Sequence, residues 1–136
     1  MDETIIPGSV YYFFCDNTKP PKYKYLVLLS IEPVLWFFIN SEMTKFIQSE
    51  QSLRDRQVEL IRIPHHTFLD HDSYIDCLSV QSYDDITLED LHEWSRDPNI
   101  LKGQLHQTVI EEIIEKVKDP ITISPFHANI IIKSLS

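Results

Sequence analysis

The chain has 136 residues, of which 43% are hydrophobic and 24% charged, and only two are glycine. This composition excludes a disordered chain and provides no glycine-rich loop for phosphate. The net charge of −9 argues against non-specific coating of nucleic acid. Thirteen of the 21 acidic residues lie in residues 67–136, whereas residues 1–66 are nearly neutral. A site for an anionic ligand in the first half would act against the field of the whole chain.

The first half of the chain predicts β-structure, because β-branched and aromatic residues form short runs between turn-forming residues. The predicted strands are Ser9–Cys15, Tyr25–Ile31, Leu35–Ile39, Gln57–Ile63 and Ser73–Val80. One short helix is expected within Ser41–Gln51, where Ser41 can cap it and Phe46 and Ile47 can face the core.

The second half predicts helices. Thr87–Asp90 has the residue types of a capping box, which indicates a short helix ending near Trp94. From about Gln104 to Lys118, apolar residues recur every four positions, as in an amphipathic helix. Ser124 followed by Pro125 indicates the start of a last helix.

The order of the elements predicts an α+β fold, with about five strands followed by about three helices. Short, closely spaced strands favour a small β-barrel. We expect a single domain over residues 1–136, with the barrel over about 6–83 and the helical C-terminal part over about 87–134.

Cysteine use and hydropathy indicate the compartment. Cys15 and Cys77 are too few for a disulfide scaffold, and both lie in predicted strands, so we expect them in the core. The most apolar run, Tyr25–Ile39, is too interrupted by polar residues and proline to cross a bilayer as a helix. The opening residues lack the pattern of a secretion leader. We therefore expect a cytoplasmic protein without a membrane partner.

A basic segment lies between the first two predicted strands. Lys19, Lys22 and Lys24 alternate there with Tyr23 and Tyr25. Lysines beside aromatic residues suit a ligand that has phosphates and stackable bases, so Lys19, Lys22 and Tyr23 are candidate RNA-binding residues. The alternative is a solvated loop whose tyrosines pack inward.

The segment His65–Asp76 has the highest density of titratable residues. They are His65, His66, Asp70, His71, Asp72 and Asp76. Histidine exchanges protons near neutral pH, so the segment is a candidate acid–base site. One alternative is a metal-dependent hydrolase, although the spacing fits no zinc pattern. The other is a surface loop whose side chains cap turns.

Five segments, taken in chain order, carry a family resemblance. They are Pro7–Phe14, Lys22–Ser30, Leu35–Glu42, Asp72–Leu78 and Lys102–Ile113. The first, which begins Pro-Gly-Ser-Val-Tyr-Tyr, resembles the opening strand of the MazF/PemK-like toxins, and the last resembles the Gly-x-Leu-Ser opening of their closing helix. The likeness covers about residues 6–117 and depends mostly on the agreement in order.

This resemblance implies an SH3-like barrel that forms homodimers. It also implies a toxin of a type II toxin–antitoxin system that cleaves single-stranded RNA without a metal or cofactor, with an antitoxin protein as partner. The expected reaction is attack of the RNA 2′-hydroxyl on the adjacent phosphate. That reaction needs a base, an acid for the leaving 5′-oxygen and donors for the phosphate charge.

The family's site residues are only partly matched in this chain. Lys24 stands where the family has an arginine, and Ser41 where it has Thr or Ser. Asp76 replaces an arginine of PemK-like members, which reverses the charge at a phosphate-binding position. The candidate catalytic residues are therefore Lys24 and Ser41, with His66 and His71 taking over the acid–base work. The alternative is a catalytically inactive SH3-like module that binds a protein or RNA partner in the same groove.

Overall fold

The computed structural model describes residues 5–119 and 123–136. In this part of the chain the strands are β1 (Ser9–Cys15), β2 (Lys22–Ile31), β3 (Val34–Asn40), β4 (Gln57–Leu60), β5 (Ser73–Asp76) and β6 (Leu101–Gln104). The helices are α1 (Lys45–Gln48), α2 (Gln51–Arg54), α3 (Leu88–Trp94), α4 (Gln107–Lys118) and α5 (Pro125–Leu135). The expected single domain over residues 1–136 includes residues 1–4 and 120–122, which lie outside the described residues.

The strands form one curled antiparallel sheet in the order β4-β5-β3-β2-β1-β6. β1, β2 and β3 pair consecutively, and β5 joins β3 to β4. The fold is mixed α/β and roughly compatible with the predicted small barrel followed by helices, but the described residues form six strands and five helices rather than about five and three. The segregation of strands and helices is incomplete, because β6 follows α3 and pairs with β1.

Side chains alternate between the two faces of the sheet, and each face has its own buried cluster. The face that packs against α4 and α5 is called here the α4/α5 face. Its strand residues include Val10, Val27, Phe37, Val58 and Ile75. The face that packs against α3 is called the α3 face. Its strand residues include Tyr11, Phe13, Leu26, Leu28 and Trp36.

Two predicted helix starts are confirmed by their hydrogen bonds. At α3, Thr87 Oγ1 accepts from the Asp90 N–H at 3.1 Å, and Asp90 Oδ2 accepts from the Thr87 N–H at 2.9 Å. At α5, Ser124 Oγ accepts from the His127 N–H at 3.2 Å. The predicted stripe of α4 is also buried in the core, at Val109, Ile113 and Val117.

The region predicted as one helix contains two helices of four residues each, α1 and α2. Ser41 does not cap either helix. Thr44 caps α1, because its Oγ1 accepts the Ile47 N–H at 3.3 Å. Ile47 is buried as expected, whereas Phe46 is 72% exposed.

Three other predicted boundaries are wrong. β5 ends at Asp76 rather than Val80, because the Asp76 carboxylate accepts the Leu78 N–H at 3.0 Å and forms a turn. β4 ends at Leu60 rather than Ile63. Two residues beyond its end, the backbone N–H of Arg62 donates to Asp72 Oδ1 at 2.8 Å instead of to a neighbouring strand. α4 begins at Gln107 rather than near residue 104, because residues 101–104 pair with β1.

The two cysteines are free and buried, which confirms them as core residues. Cys15 lies in the cluster on the α3 face and Cys77 in the cluster on the α4/α5 face. No helix in the described part of the chain has the length and apolar character that a membrane span requires.

Gly103 allows β6 to lie against the ring of Phe68. A methyl group at this position would lie 2.5 Å from Phe68 Cδ2 and 2.7 Å from Cε2. We expect Gly103→Ala to lower the free energy of unfolding by about 1–3 kcal/mol, because overpacking forces the ring or the strand to move. Chemical denaturation checks this, with Gln104→Ala on the same strand as the exposed control. Equal midpoints for the two variants would contradict the expectation.

Candidate functional site

Four aromatic side chains follow one another where β1 and β2 pair. Tyr12 lies opposite Tyr25, and Phe14 lies opposite Tyr23. The ring centroids of Tyr12 and Tyr25 are 4.6 Å apart, those of Tyr12 and Tyr23 5.5 Å, and those of Phe14 and Tyr23 5.4 Å. We call these four residues the aromatic strip. By alternation from Val10 and Val27, the strip lies on the α4/α5 face.

The outer end of the aromatic strip is open to solvent. Phe14 is 52% exposed and Tyr23 is 59% exposed. Scattered exposed apolar side chains are ordinary on a protein surface, but contiguous ones mark binding sites. Cross-strand aromatic pairs also hold the rings in place, so the strip is a fixed surface on which a flat ligand can stack.

A cleft lies on each side of the strip. The smaller, of about 200 Å³, is called the His71 cleft; besides strip residues it is lined by Lys22, Lys24, Ile39, Ser41, Asp70, His71 and Ser73. The larger, of about 510 Å³, is called the Lys102 cleft; besides strip residues it is lined by Phe13, Trp94, Asn99, Ile100 and Lys102. Tyr12 and Tyr23 line both clefts, so the two clefts form one continuous surface around the strip.

Each cleft contributes a lysine. Lys102 Nζ lies 5.7 Å from the centroid of the Tyr12 ring, which is within the range of a cation–π contact. Lys22 is exposed at the start of β2 and lines the His71 cleft. A lysine therefore lies on each side of the strip although the chain has a net charge of −9, and Asp70 lines the His71 cleft together with Lys22.

Lys24 directs its amine away from the strip. It lies opposite Phe13 in the β1–β2 register, so its side chain belongs to the α3 face. Its Nζ donates to Asn40 Oδ1 and lies 4.9 Å from the centroid of the Phe38 ring. Burial lowers the pKa of Lys24, and the neighbouring Lys22 lowers it further. Lys24 contributes to the wall of the His71 cleft, but its amine is engaged on the opposite face.

His66 lies away from both clefts and is buried. Its Nδ1 is 2.8 Å from the Ile61 carbonyl oxygen, and its Nε2 accepts the His106 N–H at 3.0 Å. These partners require a neutral ring with the proton on Nδ1. Burial lowers the pKa of His66, which favours this form. Both ring nitrogens are therefore engaged, Nδ1 by Ile61 and Nε2 by His106, the residue that caps α4.

His71 and Ser41 do share a cleft. His71 is exposed, and its Nδ1 lies 3.0 Å from the Asp72 carbonyl oxygen and 3.5 Å from Ser73 Oγ. Its Nε2 has no partner among the described residues. The structure thus brings Lys22, Tyr23, Ser41 and His71 together, whereas Lys19 lies exposed in the turn before β2 and lines neither cleft.

Two strip residues, Tyr12 and Phe14, and also Lys102 are not predicted as site residues from the sequence. Tyr12 and Phe14 are two residues apart, which indicates that they share one face of β1. Because both faces of β1 are apolar, the sequence does not indicate which of its side chains are exposed. Lys102 is on β6, a four-residue strand that the sequence did not predict.

The segment His65–Asp76 is considered as a metal site because of its histidines and aspartates. No group of three or more His, Cys, Asp or Glu side chains that could hold a metal ion occurs among the described residues. The alternative of a metal-dependent hydrolase therefore has no ligand set in that part of the chain.

A scan against protein-family models finds no matching model, and searches of curated proteins and of solved structures find no match either. The MazF/PemK resemblance, and the residue roles that it implies, stay predictions.

The neutral ring of His66 makes a pH-dependent contribution to stability. Its folded-state pKa is lowered from the ordinary 6.5, chiefly by burial, so below about pH 6.5 the unfolded chain binds a proton that the folded chain does not. We therefore expect the free energy of unfolding to fall as the pH decreases from 7.5 to 5.5. His66→Gln should weaken this dependence, whereas His71→Gln, which changes an exposed histidine, should not. Denaturant unfolding at several pH values tests this, and equal slopes for both variants would disprove it.

Proposed function

We propose that the chain is an SH3-like module that binds single-stranded RNA on the aromatic strip. The observation that carries the proposal is the run of four aromatic rings, exposed at its outer end and flanked by Lys22 and Lys102. Stacking on aromatic side chains, with lysines for the phosphates, is how proteins bind unpaired strands. This combination is local and runs against the acidic charge of the chain.

Connectivity supports the SH3-like part of the proposal. Five of the six strands, β1 to β5, lie within residues 9–76 and pair in antiparallel fashion. The sheet is curled. β6 extends it at the edge next to β1, which is where the strip and the Lys102 cleft lie.

The exposures of the rings indicate how a strand would lie. Tyr23 and Phe14 present the exposed surfaces, so bases stack there, while Tyr12 and Tyr25 support them from within the sheet. Lys22 and Lys102 then meet the phosphates on either side. Hydroxyl and imidazole groups of Ser41 and His71 are suitable partners for a ribose 2′-hydroxyl, the group that distinguishes RNA from DNA.

Removing one exposed ring tests the stacking. We expect Tyr23→Ala to weaken the binding of an unstructured RNA oligonucleotide by about 1–3 kcal/mol, because each stacked base contributes about that much. Tyr23→Phe should bind like the wild type, since it keeps the ring. Phe126→Ala, which removes an exposed ring on α5, is the control. Fluorescence anisotropy measures the affinities, and equal losses for Tyr23→Ala and Phe126→Ala would refute the strip as the binding surface.

The lysines should set the salt dependence of binding. Lys22→Ala should reduce the slope of log K against log salt by about 0.7, the value for one phosphate contact on a single strand. Lys45→Ala, an exposed lysine of α1 that lines neither cleft, should leave the slope unchanged. Titration at four salt concentrations gives both slopes. An unaltered slope in Lys22→Ala would mean that Lys22 does not meet a phosphate.

A second candidate function is metal-independent cleavage of the bound RNA. The observation that favours it is the meeting of His71, Ser41 and Lys22 in one cleft beside the strip. His71 Nε2 would take the proton of the 2′-hydroxyl, whose oxygen bonds to phosphorus while the bond to the 5′-oxygen breaks. The imidazolium would then protonate the 5′-oxygen, and Lys22 and Ser41 would donate to the phosphate. The homodimer and the antitoxin partner implied by the family resemblance belong to this candidate.

Cleavage is tested with RNA in the presence of a chelator. If the second candidate holds, the wild type cleaves RNA and His71→Ala does not. A DNA strand of the same sequence stays intact, because it has no 2′-hydroxyl to act as the nucleophile. Lys24→Ala should keep its activity, since its amine lies on the other face of the sheet. Gel analysis of the products decides between the two functions. If the RNA is bound but never cut, only the binding function remains. Loss of cleavage in Lys24→Ala would place the reaction outside the His71 cleft.

A further inference from the structure

A third cavity opens on the α3 side of β1 and has the opposite charge. It has a volume of about 350 Å³, and we call it the acidic pocket. Four aromatic side chains line it: Phe13, Phe14, Tyr83 and Trp94. Three carboxylates also line it: Asp16, Asp85 and Asp90. No lysine or arginine is among its lining residues in the described part of the chain.

The aromatic walls of the pocket are held in place by one another. The Phe13 ring is 4.9 Å from the Trp94 ring and 6.1 Å from the Tyr83 ring, to which it lies at 82°. The Tyr83 hydroxyl donates to Asn17 Oδ1 at 3.2 Å. Burial raises the pKa of Tyr83, so the phenol is neutral at physiological pH. The pocket thus has a preformed apolar wall with ring faces and edges at different angles.

The carboxylates around this wall retain free oxygens. Asp16 and Asp85 have no hydrogen bond or ion pair with any described residue. Asp90 uses Oδ2 to accept the Thr87 N–H, and its other oxygen has no such partner. Three acidic groups on one pocket without a compensating cation attract a positively charged ligand and repel the phosphates of a nucleic acid.

We propose that the acidic pocket binds an arginine side chain of a partner polypeptide. A guanidinium group stacks on aromatic rings and donates to carboxylates from the same plane. An ammonium group is a compact charge that makes no such planar contact, so the mixture of ring walls and carboxylates favours arginine over lysine. The volume is large enough for one long side chain, at the low end of the range for small-ligand sites.

This pocket adjoins the proposed RNA site and shares Phe14 with it, so the two sites are distinguished by residues that belong to one of them alone. Phe13, Phe14 and Trp94 border both the acidic pocket and the Lys102 cleft, so none of them can distinguish the two. Asp85 lines only the acidic pocket. Asp84, the exposed neighbour that does not line it, offers a matched control.

The experiment is an NMR titration of the full chain with acetyl-Gly-Arg-Gly-amide, followed at the methyl signals of Ile86, which lines the acidic pocket and neither cleft. Peptides with citrulline or lysine in place of arginine are titrated in parallel; citrulline has nearly the same shape and no charge. We expect saturable shifts with the arginine peptide and weaker binding of the other two. Asp85→Asn should weaken arginine binding about three- to fivefold, in line with the loss of one exposed ion pair. Asp84→Asn should leave it unchanged.

Several results would overturn the proposal. They are the absence of a saturable shift, equal binding of the arginine and citrulline peptides, equal binding of the lysine peptide, and equal effects of Asp85→Asn and Asp84→Asn. Tyr23→Ala separates this site from the proposed function. It should weaken RNA binding and leave the arginine peptide unaffected, so either proposal can fail without the other.

Discussion

The pairing register between β1 and β2 is the constraint on which both candidate sites depend. Val10 opposite Val27 fixes it within the core, and the same register places Tyr12 opposite Tyr25 further along. Because side chains alternate, a slip of one residue would exchange the faces. The tyrosines of β2 would then enter the α3 face and Lys24 would reach the strip. Burial of the valines therefore determines which groups a ligand meets.

Sequence reasoning succeeded where the signal is local. The caps at Thr87 and Ser124 are confirmed, because a capping side chain and the N–H that it accepts lie within three residues. The apolar runs gave β1 to β3 nearly correctly. β6 was not predicted, because a segment of four residues that contains Gly103 has little intrinsic preference for β-structure. It is a strand because β1 offers an unpaired edge.

The candidate site was only partly predictable, because it depends on contacts between residues far apart in the sequence. Lys22 and Tyr23 could be read from the sequence, whereas Tyr12, Phe14 and Lys102 were not predicted. The direction of a side chain depends on register, and the register removes the amine of Lys24 from the cleft. His66 is a histidine, a residue type that often carries protons in catalysis, but it is buried and its ring holds the structure together. Only the tertiary contact with the His106 N–H, forty residues away, distinguishes the two roles.

The fold groups charges of each sign around the aromatic rings independently of the two halves of the sequence, since Asp16 comes from the first half and Lys102 from the second. Aromatic rings continue from the strip through Phe14 into the acidic pocket, but the ionic groups beside them change sign, from Lys22 and Lys102 to Asp16 and Asp85. Rings alone would accept any flat ligand. The carboxylates next to Phe14 repel phosphates, so the proposed RNA strand would be confined to the part of the strip between Lys22 and Lys102. The same carboxylates attract a cation, and the two proposals together would let one aromatic surface serve two ligands of opposite charge.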